Sequence, residues 1–378
     1  MTPTPMTPRK DDLRRDVGQL LWIGFETTDI DAELERRLSA GEAGAVILFR
    51  RNLEETTAPG GGDAQLNVPA LVALNQALHD AGAASGERLL IAVDQEGGPV
   101  QRIRAPATRW PPMDRLAALP DATAEDLARR IGAAMGRELA SLGFDIDFAP
   151  VLDVHTNPAN PIIGERAFGT EPEAAARRAL AFAGGLAAAG LLSCGKHFPG
   201  HGDTDQDSHH VLPRLRHGLD RLRQVELVPF ARAAAAGIPM IMTAHVVFDA
   251  LDPGVPATLS RRVVGDILRG ELGYRGVVVS DDLDMKAIAD HIGAGEAAVR
   301  AIDAGCDVLL LCRERANQDA AFEALVRAGE RDAALRSRIA ESAAAVRRLK
   351  QSPPPDRPEP ATALGAGAGL LAELDPAR

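Results

Sequence analysis

Eight short apolar segments recur along the chain, each bounded by turn residues or by charged residues. They are apolar almost throughout instead of alternating with polar positions, which is typical of strands buried on both faces of a parallel sheet. We predict strands at Leu20–Phe25, Ala43–Phe49, Arg88–Val93, Phe144–Asp153, Leu191–His197, Ile238–His245, Gly276–Asp281 and Cys306–Cys312.

Segments rich in Ala, Leu, Arg and Glu, with helical periodicity, separate most of these strands. The helices expected from them are Ala124–Leu142, Pro172–Ala189, Leu222–Ala236, Ser260–Leu272 and Gly295–Ala304, followed by a final amphipathic helix at Arg331–Lys350. Eight alternating strand–helix units predict a (β/α)8 TIM barrel of the α/β class. An open doubly wound sheet is the competing topology, and no GxGxxG or GxxxxGK[ST] follows the first strand to support it.

The carboxyl ends of six predicted strands carry charged or hydrogen-bonding residues, within VILFRRN, IAVDQEGG, FAPVLDVH, CGKHFPGHGD, IMTAHVVFD and VVVSDDLDM. A barrel places its catalytic groups at these ends. Strands generally end in polar loops, so a single end says little, but the repetition at six ends favours a functional site there.

Composition changes at both ends of the chain. Six prolines fall in the 28 residues 351–378, a segment that we expect to be extended or disordered. Residues 1–16 are expected to form a flexible N-terminal tail, which leaves residues 17–350 as a single catalytic domain.

The charge balance excludes one class of function. Lys and Arg number 42 against 53 Asp and Glu, a net charge of −11, so the basic footprint that nucleic acid requires is missing. The longest apolar stretch, Ala179–Leu192, is too short to span a bilayer, and the N-terminus lacks the apolar core of a secretory signal. We therefore expect a cytoplasmic, monomeric protein without membrane partners, and we interpret Cys194, Cys306 and Cys312 as buried thiols.

Five of the nine histidines lie between His197 and His217. Asp203, Asp205 and Asp207 have the alternating spacing of a calcium loop, but Ser208 and Arg214 stand where such a loop needs Gly and Glu. The segment contains no HExxH and no HxH pair, so it does not favour zinc or iron. We predict neither a metal nor a cofactor.

A catalytic interpretation accounts for more of these residues. Asp207 and His209 are two positions apart, so in an extended loop they could point the same way and form an acid/base dyad. Asp281 directly ends a strand of valine and serine and is the best-placed nucleophile.

Eight segments together resemble the β-N-acetylhexosaminidases of glycoside hydrolase family 3. They are LFRRN (48–52), DQEGGPVQR (94–102), DFAPVLDV (147–154), NPIIGERAFG (160–169), KHFPGHGDTDQDSH (196–209), MTAHVVFDALD (242–252), PATLS (256–260) and VVVSDDLDM (277–285). The resemblance covers about residues 17–350, and the histidine-bearing block is its most specific part.

The resemblance implies roles for individual residues. Asp281 would be the nucleophile that forms a covalent glycosyl-enzyme, and His209, oriented by Asp207, would be the acid/base. The residues that match the family's sugar-binding positions are Asp94, Arg102, Arg166, Lys196 and His197. The implied substrate is terminal β-linked N-acetylglucosamine on muropeptides during peptidoglycan recycling. One departure is Pro99, where the family usually has Arg or Lys, and we expect it to stiffen the loop that keeps Arg102.

Several alternatives stay open for the residues. Asp282 could be the nucleophile with Asp281 as a helix cap, and Lys196 with His197 could be a structural pair. Arg166 could instead hold a loop carboxylate, Glu165 or Asp153. Glu96 is either a structural carboxylate or a substrate contact, while His245 and Asp153 are expected to support the site instead of contacting sugar.

Alternatives also remain for the function. The same barrel could be a phosphorylase, because a histidine acid/base would not repel an anionic acceptor such as phosphate. It could also be a β-glucosidase or a catalytically inactive glycan-binding protein, although an intact dyad and Asp281 argue against a mere binder.

Overall fold

The eight predicted strands close into one parallel barrel in the computed structural model, which describes residues 10–56, 64–206 and 212–374. Each strand pairs in parallel with its neighbours along the chain, and the last pairs with the first. The strands are β1 (Leu21–Ile23), β2 (Ala45–Leu48), β3 (Leu90–Val93), β4 (Ile146–Asp147), β5 (Leu192–Phe198), β6 (Met240–Thr243), β7 (Val277–Asp282) and β8 (Val308–Leu311). The TIM-barrel prediction is confirmed.

Helices surround the barrel. They are α1 (Lys10–Leu20), α2 (Ala32–Ser39), α3 (Val68–Ala83), α4 (Asp121–Ser141), α5 (Pro172–Ala188), α6 (Leu219–Gln224), α7 (Val228–Ala236), α8 (Lys286–Ala289), α9 (Ala294–Ala304), α10 (Arg315–Arg331), α11 (Ala333–Lys350) and α12 (Pro360–Ala363), with a π-helical segment at Arg262–Glu271. The helix predicted at Leu222–Ala236 is two helices, and Pro229, which lacks a backbone N–H, lies in the first turn of the second.

Two apolar layers divide the strand side chains. Trp22, Ile47, Ala92 and Met242 belong to the layer inside the barrel, where Trp22 stacks on Phe148 with ring centroids 6.3 Å apart. Neighbouring positions such as Ile23, Val46 and Ile91 pack outward against the helices. Every strand is therefore buried on both faces, which explains why the strands lack alternation in the sequence.

The N-terminal boundary differs from the one expected from composition. Helix α1 begins at Lys10, so residues 10–16 are part of the packed structure and not of a flexible tail. Leu13 and Val17 are buried, and Asp16 accepts a hydrogen bond from Arg347 at 2.6 Å. This segment packs because Leu13 and Val17 lie one helical turn apart on the same face and because Asp16 is paired with Arg347. Residues 1–9 lie outside the described structure.

The C-terminal expectation also requires correction. Residues 351–374 follow the barrel surface instead of being disordered, and they include α12 and a 3-10 helix at Ala366–Glu373. Ala363 and Leu374 are buried, and Glu373 pairs with Arg130 at 2.7 Å. The composition of this segment did not predict the packing, because its few apolar residues are separated by prolines and follow neither helical nor strand periodicity. No helix among the described residues combines the length and apolar character that a membrane crossing requires.

Candidate active site

A cavity of about 430 Å3 opens at the carboxyl ends of the barrel strands. It is floored by side chains of the barrel interior, among them Phe148, Met242 and Leu310. Its polar lining comes from Arg50, Arg51, Asp94, Glu96, Arg102, Arg166, Lys196, His197, His201, Asp281, Asp282 and Arg313. The barrel thus gathers charged groups from distant parts of the chain above an apolar floor.

Glu96 is the centre of a buried ionic network in this cavity. Arg166 donates two hydrogen bonds to it, from Nε to Oε2 at 2.7 Å and from Nη2 to Oε1 at 2.8 Å. Lys196 Nζ lies 2.6 Å from Oε1 of Glu96 and also donates to Oδ1 of Asp94 at 2.8 Å. The side chains of Lys196 and Glu96 are each only 3% exposed, so the network is shielded from water.

Pairing keeps these groups charged despite burial. Burial alone would raise the pKa of Glu96, but the charges of Arg166 and Lys196 outweigh it and hold the pKa well below its usual range. Burial would lower the pKa of Lys196, yet Asp94 and Glu96 raise it above its ordinary value. Glu96, Lys196 and Arg166 therefore stay charged at neutral pH, and Asp94 is held against Lys196 by its hydrogen bond.

A second buried carboxylate, Asp153, organises the loop after β5. It lies 2.7 Å from Nδ1 of His197, and the backbone N–H of His201 donates to its Oδ1 at 2.7 Å. Burial would raise the pKa of Asp153, but His197 and His201 together outweigh burial and lower it. Because an ionised carboxylate only accepts, Nδ1 of His197 donates, which leaves Nε2 as the ring's remaining polar atom.

Asp281 and Asp282, the last two residues of β7, differ in their surroundings. Oδ1 of Asp281 accepts a hydrogen bond from the backbone N–H of Asp282 at 2.8 Å. Oδ1 of Asp282 accepts from the backbone N–H groups of Asp284 and Cys312, both at 3.1 Å. Burial, followed by the charge of Asp284, raises the pKa of Asp282 to about 7. Asp282 therefore keeps its proton to near neutral pH.

Arg102 enters the cavity at its rim. Its Nη2 lies 3.6 Å from Oδ2 of Asp94, and its guanidinium carbon lies 5.9 Å from the centre of the Phe49 ring. Arg51 lies against the same ring at 4.5 Å. Phe49 thus contacts two cations through its ring face.

The Glycosyl hydrolase family 3 N terminal domain matches residues 12–349 of the chain. The chain belongs to glycosyl hydrolase family 3. A protein from Alkalilimnicola ehrlichii named Beta-hexosaminidase is 43% identical over 295 residues, which cover 77% of this chain and 80% of that protein. The family resemblance predicted from the sequence is confirmed, and the protein is a glycoside hydrolase.

Solved structures of family 3 proteins share the fold. The glycoside hydrolase family 3 β-N-acetylglucosaminidase of Paenibacillus sp. strain FPU-7 has a TM-score of 0.84 at 37% identity, covering 96% of this chain and 68% of that one. NagZ from Neisseria gonorrhoeae in complex with N-trifluoroacetyl-D-glucosamine has a TM-score of 0.70 at 33% identity, covering 86% of this chain and 98% of that one.

This family 3 chain brings together six of the eight predicted site residues. Asp94, Arg102, Arg166, Lys196, His197 and Asp281 line the one cavity. The predicted dyad, Asp207 and His209, lies outside the described residues. In the part of the chain that the structure describes, no group of three His, Cys, Asp or Glu side chains is arranged as metal ligands.

The alternatives for individual residues can be compared with their contacts. Arg166 donates its hydrogen bonds to Glu96 and to the carbonyl of Ile162 instead of to Glu165 or Asp153. His245 is buried and outside the cavity lining, with Nδ1 2.8 Å from Oγ1 of Thr258 and Nε2 3.0 Å from the carbonyl of Asp282. Arg166 is thus held by the site's own carboxylate.

The sequence left several cavity residues undecided or without a role. Glu96 proves to be the hub of the ionic network, while His201 and Phe49 also line the cavity and were not among the predicted site residues. His201 follows His197 by four residues within KHFPGH, and Phe49 ends the apolar run before RRN. Both lie within segments that carried the resemblance, but their sequence spacing does not reveal that they reach the cavity.

Proposed function

We propose that the protein is a retaining exo-β-N-acetylglucosaminidase, which releases terminal β-linked N-acetylglucosamine. The observation that carries this proposal is one cavity that combines the carboxylate of Asp281 with the charged array of Asp94, Lys196 and Arg166. Carboxylates and cations of this kind hydrogen-bond sugar hydroxyls, and the Beta-hexosaminidase relatives support the choice of sugar.

In the proposed reaction Asp281 attacks the anomeric carbon, and the bond to the leaving oxygen breaks as His209 donates a proton to it. Asp207 orients the imidazole. Water then attacks the glycosyl-enzyme, gives its proton to His209 and frees Asp281, so the product keeps the β configuration. The roles given to His209 and Asp207 are based on the sequence and the family resemblance.

Asp281 suits the nucleophile better than Asp282. A nucleophilic carboxylate must be ionised, whereas the pKa of Asp282 is raised to about 7 by burial and by Asp284. Two backbone N–H groups also occupy Oδ1 of Asp282. Both observations disfavour Asp282 as the nucleophile and so support the assignment of Asp281.

The size of the cavity supports removal of a single terminal sugar. Its volume of about 430 Å3 lies toward the small end of the range typical of small-molecule sites, which suits one sugar better than a long chain. We infer that the natural substrates are muropeptide fragments with terminal N-acetylglucosamine, acted on in the cytoplasm by a protein that works as a monomer.

The first experiment compares nitrophenyl β-N-acetylglucosaminide with nitrophenyl β-glucoside, with and without a chelator. We expect much faster release from the first substrate, no effect of the chelator, and a product formed initially as the β-anomer by NMR. Equal rates on the two sugars, or loss of activity with chelator, would contradict the proposal. A sugar phosphate formed with inorganic phosphate would instead make the protein a phosphorylase.

The second experiment tests the nucleophile with matched variants. Asp281→Ala should lose nearly all turnover and escape labelling by a fluorinated mechanism-based inactivator. Asp282→Ala should still be labelled at Asp281. The reverse pattern would assign the nucleophile to Asp282.

A third comparison addresses the acid/base. His209→Ala should lose less activity on nitrophenyl substrates, whose leaving group needs no proton, than on a natural disaccharide. His210→Ala, one residue along, is the control and should lose little on either substrate. An equal loss of His209→Ala on both substrates would contradict the acid role.

A further inference from the structure

The C-terminal segment 351–374, here the C-terminal strap, runs from the floor side of the barrel toward the rim of the cavity. At its beginning, Arg88 donates to the carbonyl of Ser352 at 2.8 Å. Arg357 then lies 3.3 Å from Oδ1 of the buried Asp145 and 2.9 Å from Nε2 of His79. These contacts fix the lower end of the strap on the barrel wall.

The upper end of the strap shares a buried carboxylate with the loop that follows β3. Oε1 of Glu138, on α4, accepts from the backbone N–H of Gly365 in the strap at 2.9 Å. The same oxygen accepts from the N–H and the hydroxyl of Thr108 at 3.0 and 2.6 Å. Because Glu138 is only 2% exposed, it is an interior link between strap and loop.

The strap also packs directly on Trp110. A Cβ at Gly367 would lie 2.4 Å from Cζ2 of Trp110 and 3.0 Å from the hydroxyl of Thr108. Glycine is therefore required for this approach, since any side chain would displace the strap or the indole. Trp110 itself is 1% exposed.

Trp110 is connected to a hairpin, here the Arg102 hairpin, in which Gln95–Gly97 pairs antiparallel with Val100–Gln101 and leads directly into Arg102. Gln101 accepts from the backbone N–H of Trp110 at 2.9 Å and donates to its carbonyl at 2.7 Å. The N–H of Gly98, beside Pro99 in the turn of the hairpin, also donates to the Trp110 carbonyl at 3.0 Å. The backbone of Trp110 thus binds both polar side-chain atoms of Gln101, the residue that precedes Arg102.

We propose that the C-terminal strap is a positioning element for the sugar site, which acts through Glu138 and Trp110 to hold the Arg102 hairpin at the rim of the cavity. The inference rests on the proposed function only in taking Arg102 as a sugar contact. Without the strap the hairpin would fluctuate, and each binding event would have to order it again. Such a cost affects substrate and transition state alike, so it raises KM and leaves kcat nearly unchanged.

The test uses neighbouring strap positions with the same substitution. Gly367→Leu forces the strap from Trp110, whereas Ala368→Leu changes an exposed position beside it. We expect Gly367→Leu to raise KM for nitrophenyl β-N-acetylglucosaminide about tenfold, with kcat changed less than about threefold, and Ala368→Leu to match the wild type. A chain shortened to end at Pro355 should show the same rise in KM, and it replaces Gly367→Leu as the test if that variant fails to fold.

A second readout is independent of turnover. Hydrogen exchange of the backbone N–H groups in residues 95–112 should become faster in Gly367→Leu and in the shortened chain, with β5 and β7 unchanged. Unchanged exchange in this region, or a loss of kcat with KM preserved, would overturn the proposal. If the wild-type protein fails to cleave the substrate, the proposed function fails, and the exchange data still decide whether the strap holds the hairpin.

Discussion

At the scale of single residues, the chemistry of the site depends on how burial and pairing compete. Glu96 and Asp282 are both carboxyls in the same cavity, but the pKa of Glu96 is lowered and that of Asp282 is raised. Two cations outweigh burial at Glu96, while Asp282 has Asp284 and Asp281 beside it. The fold therefore assigns opposite protonation to two residues of the same acidic class.

The first residue-scale prediction concerns Glu96. Glu96→Gln should lower the free energy of unfolding by about 3 kcal/mol, because it leaves buried Lys196 and Arg166 without a shared anion. It should also raise KM. Glu165→Gln, the same change at an exposed neighbour, should alter stability by less than about 0.5 kcal/mol. Urea unfolding of both variants measures this, and equal losses would contradict the role of Glu96 as hub.

The second prediction concerns pH. The pKa of Asp282 in the folded protein, about 7, lies above its ordinary value of 3.8, so the stabilisation it provides is complete below pH 3.8 and is lost as pH rises through 7. Asn cannot ionise but can still accept from Asp284 and Cys312. As pH rises from about 5 to about 8, the free energy of unfolding of the wild type should therefore fall by about 2–3 kcal/mol relative to that of Asp282→Asn. Urea unfolding at several pH values measures this, and a difference between the two proteins that does not change with pH would refute the assignment.

At the scale of elements, close helix packing depends on individual glycines. Helices α4 and α5 approach so closely that a Cβ at Gly185 would lie 2.1 Å from the carbonyl oxygen of Arg129. At the adjacent Gly184 a Cβ would meet nothing within 4 Å. Helical periodicity alone does not distinguish these two glycines. They differ because only Gly185 faces the backbone of α4.

This contrast gives a matched pair of variants. Gly184→Ala should stabilise the protein by about 0.5–1 kcal/mol, because Ala is the better helix former. Gly185→Ala should destabilise it by about 1–3 kcal/mol, because the helices must separate. Thermal unfolding measures both effects, and changes of the same sign in the two variants would show that α4 and α5 pack differently.

At the scale of the whole molecule, the C-terminal strap joins the two ends of the barrel. Its lower contacts, at Arg357, are remote from the cavity, and its upper contacts reach the loop of Trp110. The side chain of Arg357 is 35% exposed, so its ion pair with Asp145 is partly screened by solvent. Stability and substrate binding should therefore respond to different parts of the strap.

Arg357→Ala tests this separation. We expect it to lower Tm by about 1–3 °C, because one partly exposed ion pair is lost from a large domain. Both kcat and KM should match those of the wild type, since the contacts with Glu138 and Trp110 remain. A rise in KM comparable to that of Gly367→Leu would show that the strap acts as one rigid unit.

The sequence by itself determined the barrel and pointed to six of the residues that line its cavity. Eight apolar runs that lack alternation require burial on both faces, and polar residues at their carboxyl ends must then converge at one end of a closed parallel sheet. Asp94, Lys196 and Asp281 could be found in this way because each lies in the last residues of a strand or directly after it. This reasoning needs only local patterns.

Only the tertiary structure decided which of these groups are paired and which ends of the chain pack. Glu96 became the hub because Arg166, 70 residues away, and Lys196, 100 residues away, meet it in three dimensions. The strap packs because Gly365 and Gly367 meet Glu138 and Trp110, contacts between segments more than 200 residues apart. Pairing and close approach depend on distances between remote residues, and a pattern along one chain carries no such distances.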